Sequence, residues 1–404
     1  MKALQLRLDP LRFAALQTLR PVSGQFFYRG PFSTVKLVDI PEPALPSPEW
    51  IKIKTMLCGV CGSDINLIFM KDSPTAMPFT SFPCVPGHEF CGEVVEVGDQ
   101  VQKVRKGDVI TASVALSCET RGITPVCRSC AAGWTSNCEN FAEGAFAPGM
   151  FIGICKDING GFAEYVVIHQ SQAHIVPDGV SPESAIMTEP LACGLQAVLD
   201  NPPADSDRVL IIGGGVIGSM VVKSIRGLDI GCDITVVEPS RFAADFIKKC
   251  GADRTIESDM IDAAVRIAGG RSYKPLLRER VVMGGFDKVF DTVGSRQTLN
   301  SALRVTATGG TLSLLGIGKE VKLDLTPLWL KLQTVKGCYA YRYNNIAGAR
   351  RHAFAMSLEL IASGKIKVAD MLTHKFPLAR YRDMIEVNLN KSANQAMKTA
   401  FVFE

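Results

Sequence analysis

The chain has 404 residues, 47% of them apolar and 21% charged, with 44 basic against 40 acidic side chains. That length exceeds one ordinary core and implies two domains, while the composition excludes disorder and fibrous repeats. The net charge of +4 is spread along the chain, which gives no footprint for nucleic acid, and no run of ~18 apolar residues supports a membrane span.

The N-terminal stretch MKALQLRLDPLRFAALQTLR interrupts its apolar residues with Arg7, Asp9, Arg12 and Arg20, which argues against a secretory signal. Thirteen cysteines without such a signal point to a reducing cytoplasm, and to metal before disulfide. Residues 5–31 read as an insertion. From there to about residue 185, short β-type runs dominate: EWIKIKTMLCGV, GEVVEVG, DVITASVAL and GFAEYVVI, punctuated by Gly, Pro and Asp.

Two metal-type constellations lie in this β-rich half. CGVCGSDIN and PCVPGHEFCG offer Cys61, Ser63, Asp64, His88 and Glu89, and Gly87 allows an unusual backbone angle beside His88. Further on, Cys127-x2-Cys130-x7-Cys138 sets three thiols in one loop, with Cys118 upstream. Four thiolates at short reach suit tetrahedral Zn2+ and leave no open coordination position. Such a site organises backbone and takes no substrate.

After TEPLACGLQAVLD the texture changes to buried strands alternating with helix-length segments, from RVLIIGG to GGTLSLLGI, which implies a parallel sheet covered on both faces. Gly213, Gly215 and Gly218 hold the G-x-G-x-x-G spacing, with Val216 and Ile217 between them, after a strand and opening a helix. That context suits a dinucleotide whose pyrophosphate rests on the helix N-terminus. Glu238 ends the next strand and is placed to accept hydrogen bonds from ribose hydroxyls, favouring NAD over NADP, whereas Arg241 leaves NADP open. Residues 268–285 read as a second insertion, a helix end followed by a loop.

The motifs GVCGSD, GHEFCGEVVEVG, CRSCAAGWTSNC, GGFAEYV, EPLACGLQAV and GGGVIG occur in the order seen in zinc-dependent medium-chain dehydrogenases. From about residue 33 onward the chain resembles that branch of the alcohol dehydrogenase family which includes polyol and threonine dehydrogenases. The resemblance implies an α/β protein: a GroES-like β-rich catalytic domain over 1–188 and 337–404, and a Rossmann doubly wound parallel sheet over 189–336, with the active site in the cleft between them.

By the same resemblance Cys61, His88 and Glu189 would be catalytic zinc ligands. Glu89 would stand behind the metal or exchange into its shell, and Asp64 would anchor that shell. Ser63 would take the alcohol proton, and Lys398 of AMKTAFVF would reach the cofactor pyrophosphate. Three positions depart from the family pattern. Thr124 stands where the first structural-zinc cysteine is expected, so Cys118 would replace it; Asn66 takes the place of a relay histidine; and Gly62 replaces a larger or basic residue. The implied activity is hydride transfer between a secondary alcohol, polyol or similar substrate and NAD, in a cytoplasmic homodimer or homotetramer with one catalytic and one structural zinc. The alternatives are an NADP-dependent aldehyde or ketone reductase, and a non-catalytic NAD-binding protein with structural zinc only.

Overall fold

The alternating run WIKIKTMLCGV forms an eleven-residue strand, Trp50–Val60, whose Trp50, Ile51, Ile53 and Cys58 enter the core. The computed structural model describes residues 1–277, 279–316 and 320–404, grouped in two units: Met1–Glu189 with Tyr341–Glu404, and Pro190–Ala340. In the first unit Trp50–Val60 pairs antiparallel with Glu89–Val97. Its first half also pairs with Tyr165–His169, and its second half with Lys398–Val402 from the chain end. Val109–Ala112 and Ala173–Ile175 extend the sheet beyond Glu89–Val97. Edge-on packing of Phe162 against Phe401, with centroids 4.9 Å apart, ties the C-terminal strand into this core.

The insertion at 5–31 is closed by a strand pair, Lys2–Leu6 against Val35–Asp39. Asp9 caps the helix Pro10–Leu19 by accepting from Arg12 N at 2.9 Å. Phe27 and Tyr28 then set their rings 5.3 and 6.0 Å from Phe69, and the Thr34 hydroxyl donates to Ile68 O at 2.8 Å. The insertion thus braces the C-terminal end of the helix Gly62–Ile68, which begins directly after Cys61.

The second unit holds a six-stranded parallel sheet in the order Arg254–Ile256, Asp233–Val237, Arg208–Ile212, Phe286–Asp291, Thr306–Leu314, Thr334–Gly337. Numbered along the chain, that order is 3-2-1-4-5-6. It reverses between Arg208–Ile212 and Phe286–Asp291, the place where ligands bind in open α/β sheets. Val209, Leu210, Ile211, Ile234, Val236, Val289 and Phe290 are fully buried, as strands covered on both faces require. Among the described residues no helix is long and apolar enough to cross a membrane.

Residues 268–285 differ from expectation, with residue 278 outside the described set, as is Ile317 at the end of GGTLSLLGI. In place of a helix end and loop, Arg271–Tyr273 and Val281–Met283 form an antiparallel pair after the helix Met260–Arg266. The β-branched Val282 is fully buried against Ala263, Ala264 and Leu303, so tertiary burial fixes what local spacing left as a loop.

His174 and His352 stack at 6.0 Å in the first unit, among Tyr341 and Phe354. Burial pushes His352 down to about 4; burial, then the neighbouring His352, pushes His174 to about 3. Because both lie below the unfolded value of about 6.5, protons favour the unfolded chain. The stability of the neutral pair is complete above that value and is lost as pH falls toward 4, at up to ~1.4 kcal/mol per pH unit per histidine. The urea midpoint is expected to drop between pH 7 and 5, and His352→Phe to flatten the drop; an unchanged pH dependence in that variant would contradict this account.

Candidate metal centre and nucleotide site

Cys61 directly follows the central strand Trp50–Val60 and stands at the N-cap of the helix Gly62–Ile68. Asp64, in the first turn and buried, accepts from Cys61 N at 2.8 Å through one carboxylate oxygen. Its other oxygen lies 3.5 Å from His88 Nδ1, so one acid orients residues from two elements. His88 follows Gly87, whose φ is +96°. A Cβ on Gly87 would meet Phe162 Cδ1 at 2.5 Å and Cys58 Sγ at 2.8 Å, so only glycine fits beside His88.

The ligand atoms of Cys61, His88 and Glu89 lie within 4.8 Å of one another. Burial opposes a charged His88 ring, but Asp64 and Cys61 outweigh it and raise its pKa well above the ordinary value. His88 Nδ1 faces the Asp64 carboxylate at 3.5 Å, too long for an ordinary hydrogen bond. The donor set of sulfur, imidazole and carboxylate suits zinc. Glu189 sits in the first turn of the helix Thr188–Asp200, only 8% exposed. Ser63 is exposed one residue before Asp64.

Lys398 opens the C-terminal strand Lys398–Val402. Its side chain is buried and its ammonium pairs with the Glu89 carboxylate, away from any exposed position. Its strand register explains this, since Thr399 and Ala400 lie opposite Val60 and Gly59, and Gly59 lies opposite Glu89. Burial works against the Lys398 charge, yet Glu89, Cys61 and Glu189 hold its pKa above the ordinary lysine value. Glu189 therefore acts on the same lysine as the Cys61–His88–Glu89 cluster. Sequence reading missed Gly59, where a Cβ would strike Glu89 Oε2 and come within 3.0 Å of Lys398 Cε. Its only sequence signal is a glycine inside an otherwise strong strand.

The sulfurs of Cys118, Cys127, Cys130 and Cys138 also lie within 4.8 Å of one another. Cys118, fully buried, stands 3.6 Å from Cys138, and its sulfur accepts from Cys127 N and Asn140 Nδ2, both at 3.3 Å. Cys118 thus joins the three spaced cysteines, and Thr124 is not among them. Hydrogen bonding from Cys130, helped by Asn140 N, Cys118 and Cys127, prevails over burial and pulls the Cys138 thiol down to about 5. The hydrogen bond with Cys138 pushes the Cys130 thiol up and burial pushes Cys118 up, so it is the converging four-sulfur donor set that fits a zinc site. Arg121 fixes the surrounding loop: 1% exposed, it donates to the carbonyls of Leu116, Glu143, Phe146, Ala147 and Gly149 at 2.8–3.2 Å.

In the second unit Gly213, with φ +97°, follows the strand Arg208–Ile212 at the point of reversal. A Cβ there would meet Thr292 Oγ1 at 2.6 Å, and one on Gly218 would strike Gly213 O. Gly215 caps the helix Val216–Gly227, which opens with Val216 and Ile217. Glu238 accepts from Gly214 N and from Ser240 N, both at 2.7 Å, which fixes its carboxylate beside the glycine turn. Arg241 begins the next helix, its side chain 96% exposed and 4.0 Å from Asp245.

Two family models match the chain: the alcohol dehydrogenase GroES-like domain over residues 47–178, and the zinc-binding dehydrogenase over residues 216–362. Similar curated proteins include D-arabinitol dehydrogenase 1 of Uromyces fabae, 26% identical over 96% of this chain and 99% of the relative. L-idonate 5-dehydrogenase of Vitis vinifera is 29% identical over 86% of each chain. Among solved structures, one described as a zinc-binding dehydrogenase from Sinorhizobium meliloti, bound to NADP, is 28% identical. It aligns with a TM-score of 0.71 over 91% of this chain and 95% of its own. The chain belongs to the zinc-dependent medium-chain dehydrogenases of the alcohol dehydrogenase family, oxidoreductases that move hydride between an alcohol and NAD(P).

Proposed function

We propose that the chain oxidises a secondary hydroxyl of a polyol-like substrate with NAD, at a zinc held by Cys61, His88 and Glu189. The approach of Cys61 and His88, with Glu89, within 4.8 Å carries this reading, and the family pattern adds Glu189 to it. Relatives acting on arabinitol, idonate and sorbitol, by their names, support the substrate class. Bound there, zinc supplies Lewis acidity, which lowers the pKa of a coordinated hydroxyl as it lowers that of water from ~15.7 to about 7. The Cys61 thiolate and Glu189 carboxylate balance its double charge. Lys398 neutralises Glu89, so that carboxylate stands behind the ligands without adding net charge. Asp64 keeps Cys61 and His88 in position, and the exposed Ser63 hydroxyl passes the alcohol proton outward. The glycine turn receives the cofactor pyrophosphate, and Glu238 receives the adenosine ribose.

The four-sulfur cluster holds a second zinc that keeps its loop in shape and takes no part in turnover. Among the described residues none of the thirteen cysteines is joined in a disulfide, which suits a cytoplasmic setting. The strand Thr334–Gly337 is exposed along its length at the edge of the parallel sheet, with Trp329 77% and Leu332 78% exposed beside it. An open edge flanked by large apolar side chains supports a homo-oligomer. A light-scattering mass of a dimer or tetramer is expected; a single-chain mass at micromolar concentration would remove this part of the proposal.

Elemental analysis is expected to give two zinc ions per chain. Cys61→Ala should lose one zinc and at least ~1,000-fold in turnover, with NADH binding within about twofold of the parent. Cys118→Ser should also lose one zinc yet keep turnover. Full activity in the Cys61 variant would refute the catalytic site, and a single zinc in the parent would favour a binding protein with structural metal only.

Glu238 predicts at least ~10-fold tighter binding of NADH than of NADPH, and Glu238→Ala should close most of that gap. Equal or tighter binding of NADPH by the parent, measured by fluorescence titration, would favour the NADP-dependent reductase, with Arg241 as the phosphate partner.

A further inference from the structure

Three strands of the parallel sheet end around Asp291. It closes Phe286–Asp291 and lies opposite Ile212 on one side and Leu314 on the other. Its backbone is tied to both neighbours. Leu315 N and Gly316 N donate to Asp291 O at 2.9 Å, and Thr292 N donates to Ile212 O at 3.0 Å. The Asp291 side chain is fully buried and turns back on the residues that follow, one carboxylate oxygen accepting from Val293 N at 2.9 Å and from Gly294 N at 3.0 Å. Among the described residues its other oxygen has no partner of ordinary hydrogen-bond geometry. Burial pushes this carboxyl up, and the N–H groups of Gly294 and Val293, with the Thr298 hydroxyl, offset that only in part. The turn thus needs the acceptor oxygen and not a charge.

The residues so held, 292–294, are wedged between glycines. A Cβ on Gly213 would meet Thr292 Oγ1 at 2.6 Å and Val293 Cγ2 at 2.9 Å, and one on Gly316 would run into the Val293 backbone. Gly294 has φ +67°, and a Cβ there would strike Gly316 O. The Thr292 hydroxyl donates to Ile212 O at 2.8 Å, and Val293 stays 46% exposed. The glycine turn itself is fixed from the opposite side, where Gly213 N donates to Val237 O at 2.9 Å and Gly214 N to Glu238 at 2.7 Å. Glu238 follows the second strand of the 3-2-1-4 order and Asp291 ends the fourth, on either side of the first. A dinucleotide with its ribose at Glu238 and its pyrophosphate at the glycine turn therefore extends its other half toward 292–294.

We propose that Asp291 is a positioning residue for the nicotinamide half of the cofactor, acting through residues 292–294 and leaving the adenosine half alone. Without its oxygen the buried N–H groups of Val293 and Gly294 lose their acceptor, and the turn shifts from its place beside Gly213. Val293, the only large apolar residue of the three, shifts with it. The proposal rests on the reading of the glycine turn as the seat of the pyrophosphate.

The test is titration of the zinc-loaded full chain with NADH, followed by fluorescence, and with ADP-ribose, followed by calorimetry. Asp291→Ala should weaken NADH at least ~10-fold while ADP-ribose stays within about twofold of the parent. Asp291→Asn keeps an acceptor oxygen without the charge and should hold both ligands within about threefold. Gly294→Ala forces the same turn against Gly316 with Asp291 intact; it should repeat the Asp291→Ala pattern, and it decides the matter if that variant does not fold. Equal loss of both ligands, or loss of neither, overturns the proposal. So does an Asp291→Asn variant as weak toward NADH as Asp291→Ala, which would make the charge the requirement. A parent that fails to bind ADP-ribose would remove the nucleotide reading itself, and this proposal with it.

Discussion

A buried carboxylate and a buried ammonium, Glu89 and Lys398, meet beside Cys61 and His88, and the proposed metal centre is organised around that pair. Glu89 opens the strand that follows His88, and Lys398 opens the strand added from the chain end. Both flank Trp50–Val60, with Gly59 leaving the space between them. Removing one partner of a buried pair leaves an uncompensated charge and typically costs ~3–5 kcal/mol. The pair thus ties the last strand of the chain to the strand that delivers Cys61. It also removes the Glu89 charge from the total that would otherwise face the proposed ligands Cys61 and His88.

Around this pair, small constraints converge. Asp64 holds the start of the Cys61 helix and faces His88, the N-terminal insertion braces the other end of that helix, and Phe151 sits edge-on to His88 at 5.1 Å. The four-sulfur loop is fixed independently by Arg121, whose five carbonyl contacts leave that stretch little freedom. In the second unit the glycine turn and Glu238 are pre-set by hydrogen bonds, so cofactor binding has little local ordering left to do. Rigid ligands and a pre-set nucleotide turn are what hydride transfer needs, since the chemistry belongs to the cofactor and the protein supplies alignment.

What could be read from the sequence followed from how local its physics is. The turn at Gly213–Gly218 is specified within a few residues by spacing and a left-handed φ, and the parallel sheet by unbroken apolar runs. Cys127, Cys130 and Cys138 are close in sequence and declare themselves. Cys118 was ambiguous because a longer loop separates it, and only the fold brings its sulfur 3.6 Å from Cys138. The Glu89–Lys398 pair could not be read at all. Its partners come from distant parts of the chain, and a lysine in a strand looks like any half-exposed lysine until its register is known. The hairpin Arg271–Tyr273/Val281–Met283 escaped for a related reason, since strands of three residues carry little periodicity and are held by the burial of Val282.

The central claim is that two chemically different zinc sites coexist in the first unit, one of four sulfurs and one mixed. X-ray absorption at the zinc edge of the metal-loaded protein reads this directly, because Zn–S distances near ~2.3 Å separate from Zn–N and Zn–O distances near ~2.0–2.2 Å. Five sulfurs shared by two ions give an expected mean of about 2.5 sulfur ligands per zinc. A mean near ~4, with no nitrogen or oxygen shell, would show that only the loop binds metal and would contradict the account.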